Sequence, residues 1–124
     1  MHLIKQHHIS FKHAWEGLVW AFKTQPNFKV HLSLSIFVII LGFIFQITYT
    51  EMTILVLTIV FGLSIEMVNT SVETLTDLVT TEYKKSAKIS KDVAAGMMLL
   101  AAIGAVGVAS FIFIPRIFIL MFGK

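Results

Sequence analysis

Residues 30–47 (VHLSLSIFVIILGFIFQI) form 18 positions with no charge except what His31 can carry. At about 1.5 Å of rise per residue, a helix of this length crosses a hydrocarbon core, which predicts a first membrane span over about 30–47. A short polar turn is expected at 48–51. A second apolar run covers 52–68, and its helical pattern continues to Val79, so the helix predicted over 52–79 leaves the membrane before it ends. Residues 80–91 are polar and basic and read as a connecting loop. A third span is predicted over 93–114, closed by Pro115 and Arg116 or extended by the IFILMF that follows. Its small residues, among them Ala94, Gly96, Ala101, Ala102, Gly104 and Ala105, let another helix come close.

Ahead of the first span the pattern changes. Ile4, Phe11, Trp15, Leu18 and Phe22 recur at helical spacing, with Lys5, Lys12, Glu16 and Lys23 between them. That alternation predicts an amphipathic helix over 1–24 lying on a membrane surface. Pro26 disfavours helix at Gln25 and separates this helix from the first span. The predicted fold is an all-α integral membrane protein: one domain, 1–124, with a surface helix and three transmembrane helices.

Composition agrees with this pattern. Of 124 residues, 56% are hydrophobic and 14% charged, outside the balance of a soluble domain. With no cysteine, a disulfide framework, a thiolate metal site and a cysteine nucleophile are all excluded. A net charge of +3 could suggest nucleic acid, but the basic residues gather at segment ends and do not interleave with exposed aromatics, so headgroup attraction is the better explanation. Lys and Arg number four before the first span, none in the first loop, four in the second loop and two after the third span. Positive residues favour the cytoplasmic side, placing the N-terminus and second loop inside and the C-terminus outside. The mixed first 29 residues lack the pattern of a cleaved signal, so none is expected.

Candidate chemistry lies on the second long helix. Glu66, Asn69, Glu73 and Asp77 are offset by 3, 7 and 11 residues, which at 100° per residue return to within about 60° of one direction. A carboxylate at the centre of a span is penalised by about 2.5–3.5 kcal/mol, so it faces protein, water or a partner. A helix that simply turns polar as it emerges explains one such residue less well when four share a face. Glu66 and Glu73 stand about 10 Å apart, too far to share a proton but suited to separate tasks such as general base and metal ligand. Lys84, Lys85, Lys88, Lys91 and Asp92 stand at the same membrane level; beside the acids they make a nucleotide site a candidate, against the simpler role of topology and headgroup attraction. The soluble phosphate-loop patterns and HExxH are absent. His2, His7, His8, His13 and His31 read as interfacial residues.

The stretch Glu66-Met-Val-Asn69-Thr-Ser-Val-Glu73-Thr-Leu-Thr-Asp77 resembles the E-x-x-N-[ST]-[SA]-x-E-x-x-x-D signature of the prokaryotic diacylglycerol kinase family, and Glu82-Tyr83 and Lys91-Asp92 resemble its downstream elements. The resemblance covers nearly the whole chain. It implies a homotrimeric kinase of the bacterial cell membrane that moves the ATP γ-phosphoryl group to a membrane lipid alcohol with Mg2+. It further implies Glu66 as catalytic base, Asn69 orienting base and phosphates, and Glu73 as magnesium ligand. Glu73, Asp77, Glu82, Tyr83, Lys84, Lys91 and Asp92 are implied at the nucleotide, and Trp15 beside the lipid.

Two positions depart from the family pattern. Gln25 stands where the family has a second carboxylate metal ligand, and an amide oxygen holds a hard cation more weakly. Gln6 stands in place of an arginine, with Lys5 or His7 as substitutes. PNFKVHL and KDVAAG resemble the undecaprenol kinase branch more than the enterobacterial diacylglycerol kinases, so undecaprenol is the expected acceptor and diacylglycerol the alternative. A non-catalytic membrane protein that binds lipid or a partner is the competing class, motivated by Gln25. A proton relay through Glu66 would need polar residues in the other spans, which have almost none.

Overall fold

The computed structural model describes residues 2–123, with side chains described from residue 10 on. Ile4, Lys5, Gln6, His2, His7 and His8 therefore have side chains outside the described residues. Among the described residues the chain forms four α-helices and no strand: α1 (His2–Thr24), α2 (Pro26–Ile44), α3 (Tyr49–Val79) and α4 (Lys85–Phe122). The last three are long and apolar enough to cross a membrane. α3 packs against both α2 and α4 and is the axis of the bundle.

The boundaries follow local chemistry. Gln25 is extended (φ −102°, ψ 107°) and Pro26 opens α2 at its first turn, where a missing N–H costs nothing. The first apolar helix thus starts at Pro26, four residues before the 30–47 predicted from hydropathy. It also ends earlier, at Ile44. The Ile47 N–H donates to the Gly42 carbonyl (3.1 Å) and the Gln46 N–H to the Phe43 carbonyl (3.2 Å), with Gln46 left-handed at φ 50°. This is the Schellman arrangement, in which the residue after the turn folds back on the helix. Gly42 allows it: a Cβ there would lie 2.9 Å from Met52 Cε and 3.0 Å from Ile47 Cδ1.

The polar stretch expected as a turn at 48–51 is instead the start of α3. The Thr48 hydroxyl accepts from the Glu51 N–H (3.2 Å) and the Glu51 carboxylate accepts from the Thr48 N–H (2.8 Å), a capping box. The second loop is likewise shorter than 80–91, covering only 80–84, because Lys85–Asp92 is polar yet helical and carries a Lys88–Asp92 pair one turn apart. Pro115 lies inside α4 and does not end it. Arg116 reaches back to the Ile112 carbonyl at 2.8 Å on that weakened turn.

Leu55, Ile112 and Phe113 form the buried apolar core at the α2–α3 turn end, where Phe45 meets Phe113 edge-on at 6.0 Å. Elsewhere the spans carry their apolar side chains outward, Leu57, Phe61, Leu100 and Val106 among them. Hydroxyls within the spans bond to carbonyls one turn back, as Ser35 does to His31 (2.7 Å) and Thr58 to Ile54 (2.8 Å), so no water is needed there. This is the surface of a membrane protein, with apolar side chains outside.

Candidate active site

The polar face of α3 runs from the bundle interior to the α3–α4 loop. At its inner end Glu66, Asn69 and Thr70 are 2%, 5% and 8% exposed, the buried polar side chains among the described residues. Small side chains on α4, such as Ala94, Ala101 and Ala102, bring that helix close enough to cover them. Glu66 Oε2 and Asn69 Oδ1 are buried with no hydrogen-bond partner. Leaving a buried acceptor unmet costs about 1–3 kcal/mol, and such groups persist where a substrate supplies the missing partner.

Toward the loop the face opens. Asn69 Nδ2 donates to Glu73 Oε1 at 3.4 Å, linking the buried and exposed halves. Lys91 of α4 donates to Asp77 at 2.6 Å, Lys88 pairs with Asp92, and Lys84 lies 3.9 Å from Glu82. The Thr80 hydroxyl accepts from the Glu82 N–H (3.1 Å) and shapes the loop between them. Asp77, Thr80, Glu82, Tyr83, Lys84, Lys88, Lys91 and Asp92 line an open cavity of about 350 Å3, and Asn69 and Glu73 lie outside its lining; the volume is within the range of small-molecule sites. Lysines held beside carboxylates can exchange those partners for phosphate oxygens.

Gln25 and Trp15 do not line this cavity. Gln25 is half-buried at the α1–α2 break and its amide nitrogen donates to the Thr24 hydroxyl at 3.2 Å. Trp15 is 61% exposed on α1, and it is Trp20 that lines a groove with Thr70, Ser71 and Thr74 of α3. No cluster of three or more acidic or histidine side chains fit to hold a metal occurs among the described residues. The exposed Glu73 carboxylate and the Gln25 amide oxygen are each an oxygen donor of the kind Mg2+ accepts, one or two from protein with water and phosphate for the rest.

Thr70 and Trp20 were not marked by the sequence, and His31 was grouped with the interfacial histidines. For Thr70 a signal existed, since it neighbours Asn69 on the same face. His31 was the one ionisable residue of the first apolar run.

Three apolar helices, with one polar face on α3 that is buried at one end and met by α4 lysines at the other, define a membrane protein with a polar site toward the α3–α4 loop. The chain belongs to the prokaryotic diacylglycerol kinase family, which it matches over residues 12–113. It is similar to the diacylglycerol kinase of Synechocystis sp., at 39% identity over 114 residues that cover 91% of this chain and 65% of that protein. It is also similar to the undecaprenol kinase of Bacillus subtilis, at 33% identity over 108 residues that cover 87% of this chain and 88% of that protein. The chain thus spans somewhat less than two thirds of the cyanobacterial relative and nearly all of the Bacillus one.

Proposed function

We propose that this protein is an ATP- and Mg2+-dependent lipid kinase that phosphorylates undecaprenol at the cytoplasmic face of a bacterial cell membrane. The observation that carries the proposal is that buried Glu66 and Asn69 of α3, each with an unmet acceptor oxygen, lie along the same helix face as Asp77, where α4 brings Lys91 and the Lys88–Asp92 pair. A lipid hydroxyl arrives from the apolar side and a nucleotide from water, so the two meet along α3.

Phosphoryl transfer needs positioning and charge neutralisation more than covalent help. Glu66 takes the proton of the attacking hydroxyl, and Asn69 orients the reacting groups while holding Glu73. Lys91 and Lys88 neutralise phosphate charge, with Lys84, Asp77, Glu82, Tyr83 and Asp92 completing the nucleotide pocket. Glu73, with Gln25 as a second oxygen donor, would hold Mg2+, which would neutralise charge on the phosphates. Trp15 on an interfacial α1 borders the lipid. The outward apolar faces of α3 and α4 suit assembly with further copies, as a homotrimer. The basic N-terminal segment and the 80–84 loop lie on the cytoplasmic side and the C-terminus outside.

Undecaprenol is favoured by the near full-length correspondence with the Bacillus relative. Diacylglycerol is the second reading, favoured by the higher identity to the Synechocystis relative. Transfer of label from Mg-ATP to each lipid, assayed side by side, separates them. A purified protein that labels neither, with ATP affinity indifferent to magnesium, is the non-catalytic alternative.

A further inference from the structure

The face of α3 that carries Glu66 continues into the apolar part of the helix. Gly62, Ile59 and Leu55 stand 4, 7 and 11 residues before Glu66, offsets that return to within about 40° of its direction. At about 1.5 Å of rise per residue the stripe is about 16 Å long. Along it α2, α3 and α4 border an apolar slot of about 260 Å3, with Leu34 and Val38 on the α2 wall and Ala102, Ala105 and Ala109 on the α4 wall. Gly62 leaves room in it, since a Cβ there would meet nothing within 4 Å.

The two ends of the slot differ. One rests on the buried core, because Leu55 belongs to that core and Val38, Ile59 and Ala109 pack against it. The other runs into a cavity of about 40 Å3 that shares His31, Gly62, Ala102 and Ala105 with the slot and adds Glu66. Glu66 is 2% exposed and its Oε2 has no partner. Hydrocarbon thus closes one end and a carboxylate with an unmet oxygen stands at the other. On the flank Leu34 and Val106 are exposed, so a chain can enter sideways from lipid.

Beyond His31 the walls offer an occupant no free donor. The Ser35 and Thr58 hydroxyls are spent on the His31 and Ile54 carbonyls of their own helices, and the other lining residues are aliphatic or glycine. A lipid with ester carbonyls beside its hydroxyl would bury those carbonyls unpaired, which is costly. A plain hydrocarbon chain ending in a hydroxyl buries only apolar surface there, and its O–H meets the unmet acceptor.

Resting on the reading of the protein as a lipid kinase with Glu66 as base, we propose that the α2–α3–α4 slot seats the hydroxyl-proximal isoprenoid units of a single-chain polyprenol. The hydroxyl donates to Glu66, and the chain beyond the reach of the slot lies in the bilayer. The slot therefore selects a single isoprenoid chain over a diacylglycerol and reads chain length only as far as it extends.

Two measurements on the full chain test this. In the first, geranylgeraniol carrying a photoactivatable diazirine in its hydroxyl-proximal half is crosslinked to the wild type without ATP, and the adducts are mapped by mass spectrometry. Adducts on Leu34, Val38 or Leu63 of the slot are expected, suppressed by excess undecaprenol and less by diacylglycerol. Adducts confined to Phe61 and Leu100 on the outward faces, or equal suppression by the two lipids, overturn the proposal. In the second, kcat/KM is measured for isoprenols of increasing length. It is expected to rise until the slot is filled and then to stay level up to undecaprenol, whereas a steady rise throughout overturns the proposal. Gly62→Leu, which fills the slot, is expected to lower kcat/KM for geranylgeraniol by roughly 10-fold or more with ATP affinity unchanged; an unchanged kcat/KM overturns it. The crosslinking, made on the wild type, does not depend on the folding of that variant. Slot adducts in a protein that phosphorylates no lipid would remove the kinase function and leave the slot standing; an active kinase labelled only outside the slot would do the reverse.

Discussion

Arg116 of α4 clasps Glu51 at the head of α3, 65 residues away in sequence, with N–H···O distances of 2.9 Å to Oε1 and 2.7 Å to Oε2. The fork is bidentate, and Glu51 is at the same time half of the Thr48 capping box. One carboxylate therefore fixes the start of α3 and ties it to α4, at the end of the bundle opposite the candidate active site.

Glu51 lies in the first turn of α3, before the apolar run that starts at Met52. The Arg116 guanidinium, helped by the Thr48 N–H, holds its carboxyl down from the ordinary 4.5 to about 2. A lowered folded-state value means that the contribution to stability is complete above about pH 4.5 and is lost as pH falls toward 2. Thermal unfolding in detergent should thus show wild type losing stability between these limits more steeply than Glu51→Gln. Parallel curves would remove Glu51 as the source. Arg116→Met should lower the midpoint at neutral pH while leaving ATP affinity intact.

Glu66→Gln should reduce kcat by roughly 10²–10⁴-fold, the range for loss of a general base. ATP binding, measured by titration of the purified variant, should be nearly unchanged because the nucleotide cavity lies further along α3. Near-normal turnover would exclude Glu66 from proton abstraction.

Lys91→Ala should raise KM for ATP by roughly 10-fold or more, the scale of a lost charge-assisted hydrogen bond. Asp77, freed of its 2.6 Å partner, would then repel phosphate as well. Initial rates across ATP concentration check this, and an unchanged KM would place Lys91 outside the nucleotide site.

Gln25→Glu should lower the magnesium concentration needed for half-maximal activity, since a carboxylate replaces a neutral amide oxygen. Magnesium titration at saturating ATP reads it directly. No shift, or a shift upward, would detach Gln25 from the metal.

Hydropathy alone made the three apolar helices and the polar face of α3 legible, because period and length are written along one chain segment. Boundaries were less legible. The Thr48–Glu51 capping box is a short-range sequence signal that hydropathy averaging hides, and Ile47 belongs to the turn because Gly42 leaves room for it, a three-dimensional fact. Residues 85–91 form helix without apolar periodicity, so no periodic pattern announces them. The burial of Glu66 and Asn69 could not be read from α3, since it depends on α4 passing close by. His31 was hidden for the same reason: lining one small cavity with Glu66 is a relationship between two helices and leaves no mark on either.

The central claim is transfer of a phosphoryl group to a lipid alcohol along the α3 face. Its most direct measurement is label transfer from γ-labelled Mg-ATP by the purified protein to undecaprenol and to diacylglycerol, with Glu66→Gln as control. The expected result is labelled undecaprenyl phosphate, little labelled phosphatidic acid, and loss of both in the variant. Absence of label in either lipid, or equal transfer by Glu66→Gln, would contradict the account.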